Sequence, residues 1–161
     1  MSDEIAELYD CRLDSKVSQN DKTPEWLDYI DHTGDAGILV RAQDLKQLFA
    51  RAAWGMFSIL TNMDTIRVTE KALIRVEAND LPALMLAWLS ELNYRHVTEH
   101  WLFAKFEISE INDRMLVAEV AGEVIDTVRH TIFTEIKAIT FHGLRVEKSN
   151  GGWEAQVIFD L

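Results

Sequence analysis

Apolar and polar positions alternate along this chain with a period that changes several times, and each change marks an element. Residues 26–40 alternate at period two on either side of the stretch from Asp31 to Gly37, which predicts two short strands flanking a turn. From Arg41 the period lengthens. Leu45, Leu48, Phe49, Ala52, Ala53, Met56, Phe57 and Leu60 recur at three- and four-residue steps, the stripe of an amphipathic helix of roughly 18 residues. Residues 69–78 return to alternation and read as a strand, with Leu73 out of step. Asn79-Asp80-Leu81-Pro82 then opens a second helix, predicted over about residues 80–97. Asp80 can cap it, and Pro82 is tolerated in a first turn because the N–H it lacks has no intrahelical partner there. This helix is apolar around most of its circumference, which predicts the most buried element of the fold. Residues 101–110 and 114–124 alternate around Ile111-Asn112-Asp113, the pattern of a hairpin. After an irregular stretch through His130, residues 136–147 and 153–160 form a last strand pair about Ser149-Asn150-Gly151-Gly152, where Asn-Gly is a strong hairpin signal. The expected class is α+β: one or two mostly antiparallel sheets with two main helices packed on one face.

Composition narrows this further. A chain of 161 residues at 48% hydrophobic fits one domain with a real core. Residues 1–24 are polar and mixed and read as an extension outside it, leaving 25–161 as the domain. Sixteen Lys plus Arg against 27 Asp plus Glu give a net charge of −11. So negative a field repels phosphate backbones, which argues against direct nucleic-acid binding and suits cations or a basic protein partner. The single Cys11 leaves no internal disulfide, and a reduced cytoplasm is the expected location. The apolar run of residues 81–89, broken by Pro82, is far too short to span a bilayer, and the acidic start Met1-Ser2-Asp3-Glu4 lacks the basic beginning of a signal peptide.

Two acidic features stand out. Tyr29-Ile30-Asp31-His32-Thr33-Gly34-Asp35-Ala36-Gly37 packs two carboxylates, an imidazole and a hydroxyl among glycines at a strand entry, where short oxygen-bearing side chains can converge on a cation. The second is Val157-Ile158-Phe159-Asp160-Leu161, which sets the Asp160 side chain one residue from the Leu161 carboxylate. If the segments meet, three carboxylates share one place. Such a set is a hard-oxygen site, suited to Ca²⁺, Mg²⁺ or Mn²⁺ rather than zinc. Other constellations are weaker. His96 and His100 have a metal-ligand spacing, but Val97-Thr98-Glu99 between them is no zincin pattern and a frayed helix end reads better. There is no P-loop and no G-x-S-x-G nucleophile motif.

The order of these pieces resembles the archease family, over residues 26–161. The marks are Asp31-His32-Thr33-Gly34-Asp35, the helix carrying Trp54-Gly55-Met56-Phe57, Trp88-Leu89-Ser90-Glu91-Leu92, Glu135-Ile136-Lys137-Ala138-Ile139-Thr140-Phe141-His142, and the ending Val157-Ile158-Phe159-Asp160-Leu161. Gly34 stands where the family more often has Ala, and the first two dozen residues have no counterpart. The resemblance implies a protein without catalysis of its own. It would be a cofactor of the GTP-dependent tRNA-splicing ligase, promoting guanylylation of that enzyme's active-site histidine and sustaining multiple turnover. It also implies a bound metal, commonly calcium, with Asp35, Asp160 and the terminal carboxylate of Leu161 as ligands. Around these, Asp31 is read as capping the turn by an Asx-type bond, and His32 as either an orienter of a carboxylate or a satisfied core histidine. Glu135 and Lys137, two apart on a predicted strand and so on one face, are either a surface ion pair or a ligase contact. Two other functions fit less of the chain. One is a metal-dependent hydrolase with His32 as base, and the other a chaperone-like regulator.

Overall fold

The computed structural model describes residues 23–161 apart from Thr33 and the side chain of His32, so the polar leading segment lies outside the described residues. In chain order the elements are β1 (Leu27–His32), β2 (Asp35–Ala42), α1 (Leu45–Leu60), a short 3-10 turn (Met63–Thr65), β3 (Glu70–Glu77), α2 (Leu81–Glu99), β4 (Trp101–Ile111), β5 (Met115–Val124), β6 (Ala138–Ser149) and β7 (Gly152–Asp160). Every strand pairing is antiparallel. The strands form two sheets, a four-stranded one in the order β1-β2-β7-β6 and a three-stranded one in the order β3-β5-β4.

Local chemistry accounts for the ends of these elements. Asp44 caps α1 by accepting from the Gln47 N–H at 2.8 Å, and Asp80 caps α2 by accepting from the Ala83 N–H at 2.9 Å, with Pro82 in the first turn. Between β6 and β7 the turn residues Asn150 and Gly151 both take positive φ, 45° and 81°, which matches the right-handed twist of the flanking strands. The first hairpin is tighter than its sequence suggests. Ile30 pairs with Gly37 and Asp31 with Ala36, so Asp31, Asp35, Ala36 and Gly37 belong to the strands and not to the turn.

Both helices touch both sheets. Helix α1 packs on β2 and β7 of the larger sheet and on β4 of the smaller, while α2 lies against β6 and against β3, β4 and β5. One continuous core results, and the Trp88 indole N–H reaches across it to the Phe49 carbonyl at 2.9 Å, tying α2 to α1. The more buried helix is α1, not α2 as its composition suggests. In α1 the buried set includes Ala52, Ala53 and Gly55 besides the large apolar residues, because the four-stranded sheet comes close. A Cβ on Gly55 would sit 3.1 Å from Ile38 Cδ1. Helix α2 buries a single stripe from Leu84 to His96 and leaves Tyr94 60% and Val97 42% exposed. Among the described residues no helix is long and apolar enough to cross a membrane.

Candidate functional site

The β2–β7 register sets Asp35 directly opposite Asp160. Ile38 and Val157 are paired three residues further in and are fully buried, so they face the helices. Side chains alternate along a strand, which turns Asp35 and Asp160 together to the opposite, outer face. Asp35 is half-buried and Asp160 exposed. The chain then runs one residue further. The Leu161 N–H donates to the Gly34 carbonyl at 3.4 Å, its side chain packs on the core, and the residue comes to lie beside the turn that precedes Asp35. Like charges directly opposite in an antiparallel pair destabilise a sheet, so this pairing sets two carboxylates where strand packing alone disfavours them.

Gly37 makes the arrangement sterically feasible. A Cβ there would meet Ile158 Cδ1 at 2.7 Å and the Val157 carbonyl at 2.9 Å, so only glycine lets Ile30 and Ile158 pack across the strand next to the two aspartates. Further along the same outer face the charges are matched instead. Arg41 bonds Asp28 at 2.8 Å, and Arg145 bonds Glu147 at 2.7 Å and Glu154 at 2.9 Å. Glu147 and Glu154 are also directly opposed there but share Arg145, whereas no basic side chain bonds Asp35 or Asp160 among the described residues.

The remaining candidates fall elsewhere. Asp31 pairs with Ala36 one position along, which puts it on the opposite face of β1 from that of Asp35. The His32 backbone pairs with Asp35; its side chain lies outside the described residues. Glu135 and Lys137 are not on a strand, because β6 begins only at Ala138. They are exposed on either side of buried Ile136, and no ion pair joins them. The Lys137 N–H does donate to the Asp160 carbonyl at 2.8 Å, so the segment is stitched to the acidic end of β7 by its backbone. His96 and His100 do not form a site. His96 is buried and bonded through Nδ1 to the Trp101 carbonyl at 2.9 Å, and its burial pushes the imidazole below its ordinary pKa. His100 closes α2 in the left-handed region at φ 63°.

As a donor set, Asp35, Asp160 and the Leu161 carboxylate offer oxygen alone, which fits a hard divalent cation and not a thiophilic one. Among the described residues no three His, Cys, Asp or Glu side chains gather as a metal site.

Sequence reasoning missed one buried polar cluster. Glu123, at the end of β5, accepts from both sides of the Arg129 guanidinium, from the Arg67 backbone N–H and from the His130 ring at 3.1 Å. The bidentate Arg129 contact holds the Glu123 carboxyl down at a pKa of about 2. His130 Nδ1 accepts from the Asp126 N–H at 2.9 Å, which fixes the tautomer with the proton on Nε2. The cluster also takes in the Thr65 carbonyl, so it clamps the loop after β5 onto the 3-10 turn. Arg129 and His130 fall in the irregular stretch after the predicted strand that carries Glu123, and no sequence signal marked the cluster.

A two-sheet antiparallel α+β protein with opposed carboxylates at one end of its larger sheet is the class that fold and site define. Within that class the chain belongs to the archease family: the model for the Archease protein family matches residues 27–161. The archease of Methanopyrus kandleri is 37% identical over 135 residues, covering 82% of this chain and 96% of that protein. The solution structure of Methanobacterium thermoautotrophicum protein 1598 superposes with a TM-score of 0.73 at 32% identity, covering 86% of this chain and all of that one. A crystal structure from Thermotoga maritima, described as an archease and possible chaperone, shares the fold with a TM-score of 0.54 at 18% identity, over 82% of this chain and 94% of that one.

Proposed function

We propose that this archease is a metal-carrying protein cofactor of the GTP-dependent tRNA-splicing RNA ligase, in the cytoplasm. In this reading it promotes guanylylation of the ligase's active-site histidine and sustains multiple turnover, with no reaction of its own. The observation that carries the reading is the direct opposition of Asp35 and Asp160 on one exposed face. Cross-strand carboxylates repel unless a cation sits between them, and an acidic surface at −11 complements a basic, RNA-binding partner. The ligands are Asp35, Asp160 and the terminal carboxylate of Leu161. The metal is calcium, which tolerates irregular oxygen geometry better than magnesium does, with manganese as a further substitute. The bound cation would supply positive charge for phosphate or carboxylate groups at the docking surface. Asp35 and Asp160 hold it, and the Gly34 turn brings the chain end to it.

The test is a guanylylation assay on the ligase with Asp35→Ala and Asp160→Ala. Loss of stimulation by either variant is expected, and stimulation equal to that of the unaltered protein would overturn the reading. Fusing a tag after Leu161 converts its carboxylate to a neutral amide, so calorimetry should show weaker calcium binding by the tagged protein. Equal affinity would remove Leu161 from the ligand set.

A further inference from the structure

At the end of the larger sheet away from the two aspartates, a cleft of about 530 Å³ opens between the end of β2, the first turns of α1 and the β6–β7 turn. The seven steps of β2 from Asp35 to Ala42 separate the two ends by about 23 Å. Arg41, Gln43, Gln47, Arg51, Asn150 and Trp153 are among the residues that line it. Arg41 is already committed, to Asp28 at 2.8 Å and Glu154 at 3.6 Å. Glu154, the one carboxylate in the lining, is held by Arg41 and Arg145.

Arg51 differs from these. It makes no ion pair among the described residues, and its guanidinium lies over the Trp26 ring at 4.9 Å and donates once, to the Arg41 carbonyl at 2.9 Å. A guanidinium carries five N–H donors in one plane, so most of its fork remains for a ligand. Burial lowers its pKa below the ordinary arginine value, against a small opposing influence of Asp44. Gln47 is oriented too: its Oε1 accepts from the Gln43 N–H at 2.9 Å, which leaves the amide NH₂ as its free group. Donors predominate on this wall, in a chain whose overall charge is strongly negative.

We propose that this cleft is a binding site for an oxyanion, a phosphate or carboxylate group gripped by the Arg51 guanidinium and the Gln47 amide. Planar guanidinium pairs with such groups bidentately, and the volume lies within the range of small-molecule pockets, so the anion can belong to a larger molecule lying towards Trp153. The site is independent of the carboxylate pair and of the ligase reading.

NMR titration of the full chain with inorganic phosphate, and separately with acetate, tests it. Saturable shifts confined to the Arg51 Nε–H, the Gln47 side chain and the Gly151 and Gly152 amides are expected, with dissociation constants on the order of 1 mM. The tighter of the two probes identifies the group as phosphate or carboxylate. Arg51→Gln should weaken binding about tenfold, equivalent to ~1.4 kcal/mol. Gln47→Ala, which leaves the Trp26 contact intact, should weaken it severalfold. Shifts that spread over the surface, fail to saturate, or persist unchanged in both variants would overturn the proposal.

Discussion

Arg129 grips both oxygens of Glu123, and that single contact makes the fold sensitive to acid. In the unfolded chain the Glu123 carboxyl titrates near its ordinary 4.5; in the fold it is held at about 2. A depressed carboxylate contributes stability above its unfolded pKa and loses it as the fold takes up the proton. That contribution is therefore complete above about pH 4.5 and fades between pH 4.5 and 2. Glu123→Gln should cost about 2–4 kcal/mol at neutral pH, since it removes the charge facing Arg129 and replaces one of the two acceptor oxygens by an NH₂ donor, so that Arg129 or the Arg67 N–H loses its acceptor. It should also flatten the acid limb of a melting-temperature profile, and an unchanged limb would show that the clamp is not what titrates. Gly37 makes a steric demand of a different kind. A Cβ there collides with a backbone carbonyl at 2.9 Å, and carbonyls do not swing aside as side-chain ends do. Gly37→Ala should lower stability by about 1–3 kcal/mol in urea unfolding. Because Gly37 is two residues from Asp35, any calcium binding should weaken with it.

At the level of elements, the sequence was most legible where chemistry is local. Asp80 and Pro82 announce a helix start on their own, and the observed cap bond to Ala83 is the one they imply. Asp80→Ala should cost about 1 kcal/mol, read as a lower urea midpoint with the slope unchanged. Asn150-Gly151 likewise named its turn through the positive φ that only such residues adopt cheaply. What could not be read was anything set by a distant partner. The apolar coverage of α2 suggested deep burial, yet small residues in α1 admit the sheet more closely, and nothing in the α2 sequence records that. The Asp31-to-Gly37 turn contracted because β7 and β1 hold β2 as a strand from Asp35 onward. Glu135 and Lys137 alternate about Ile136 as strand residues would, but the segment gains its ladder bonds only from Ala138, with the Lys137 N–H the first to reach β7. The two carboxylates were identifiable as residue types and by family resemblance. Their opposition is a property of register, which depends on the whole four-stranded sheet.

For the molecule as a whole, the proposed calcium site would tie stability to the cation, with a sign that exposes the role of the pair. Without metal, Asp35 and Asp160 face each other across β2 and β7 with nothing of opposite charge bonded to either side chain among the described residues. Removing one charge should then help: in chelator, Asp160→Asn should be more stable than the unaltered protein by about 0.2–1 kcal/mol, the size of a cross-strand charge effect. With calcium the order should reverse. A ligand that binds only the folded state adds RT ln(1 + [L]/Kd), about 2.7 kcal/mol at a hundredfold excess over Kd, and the variant forfeits most of it. Two melting curves for each protein, in chelator and in calcium, are enough to see the crossing. A pair whose function is only to keep the surface acidic would give parallel responses, with Asp160→Asn displaced by the same amount in both conditions. A pair that holds a cation cannot, because the charge repelled in one state is the charge used in the other.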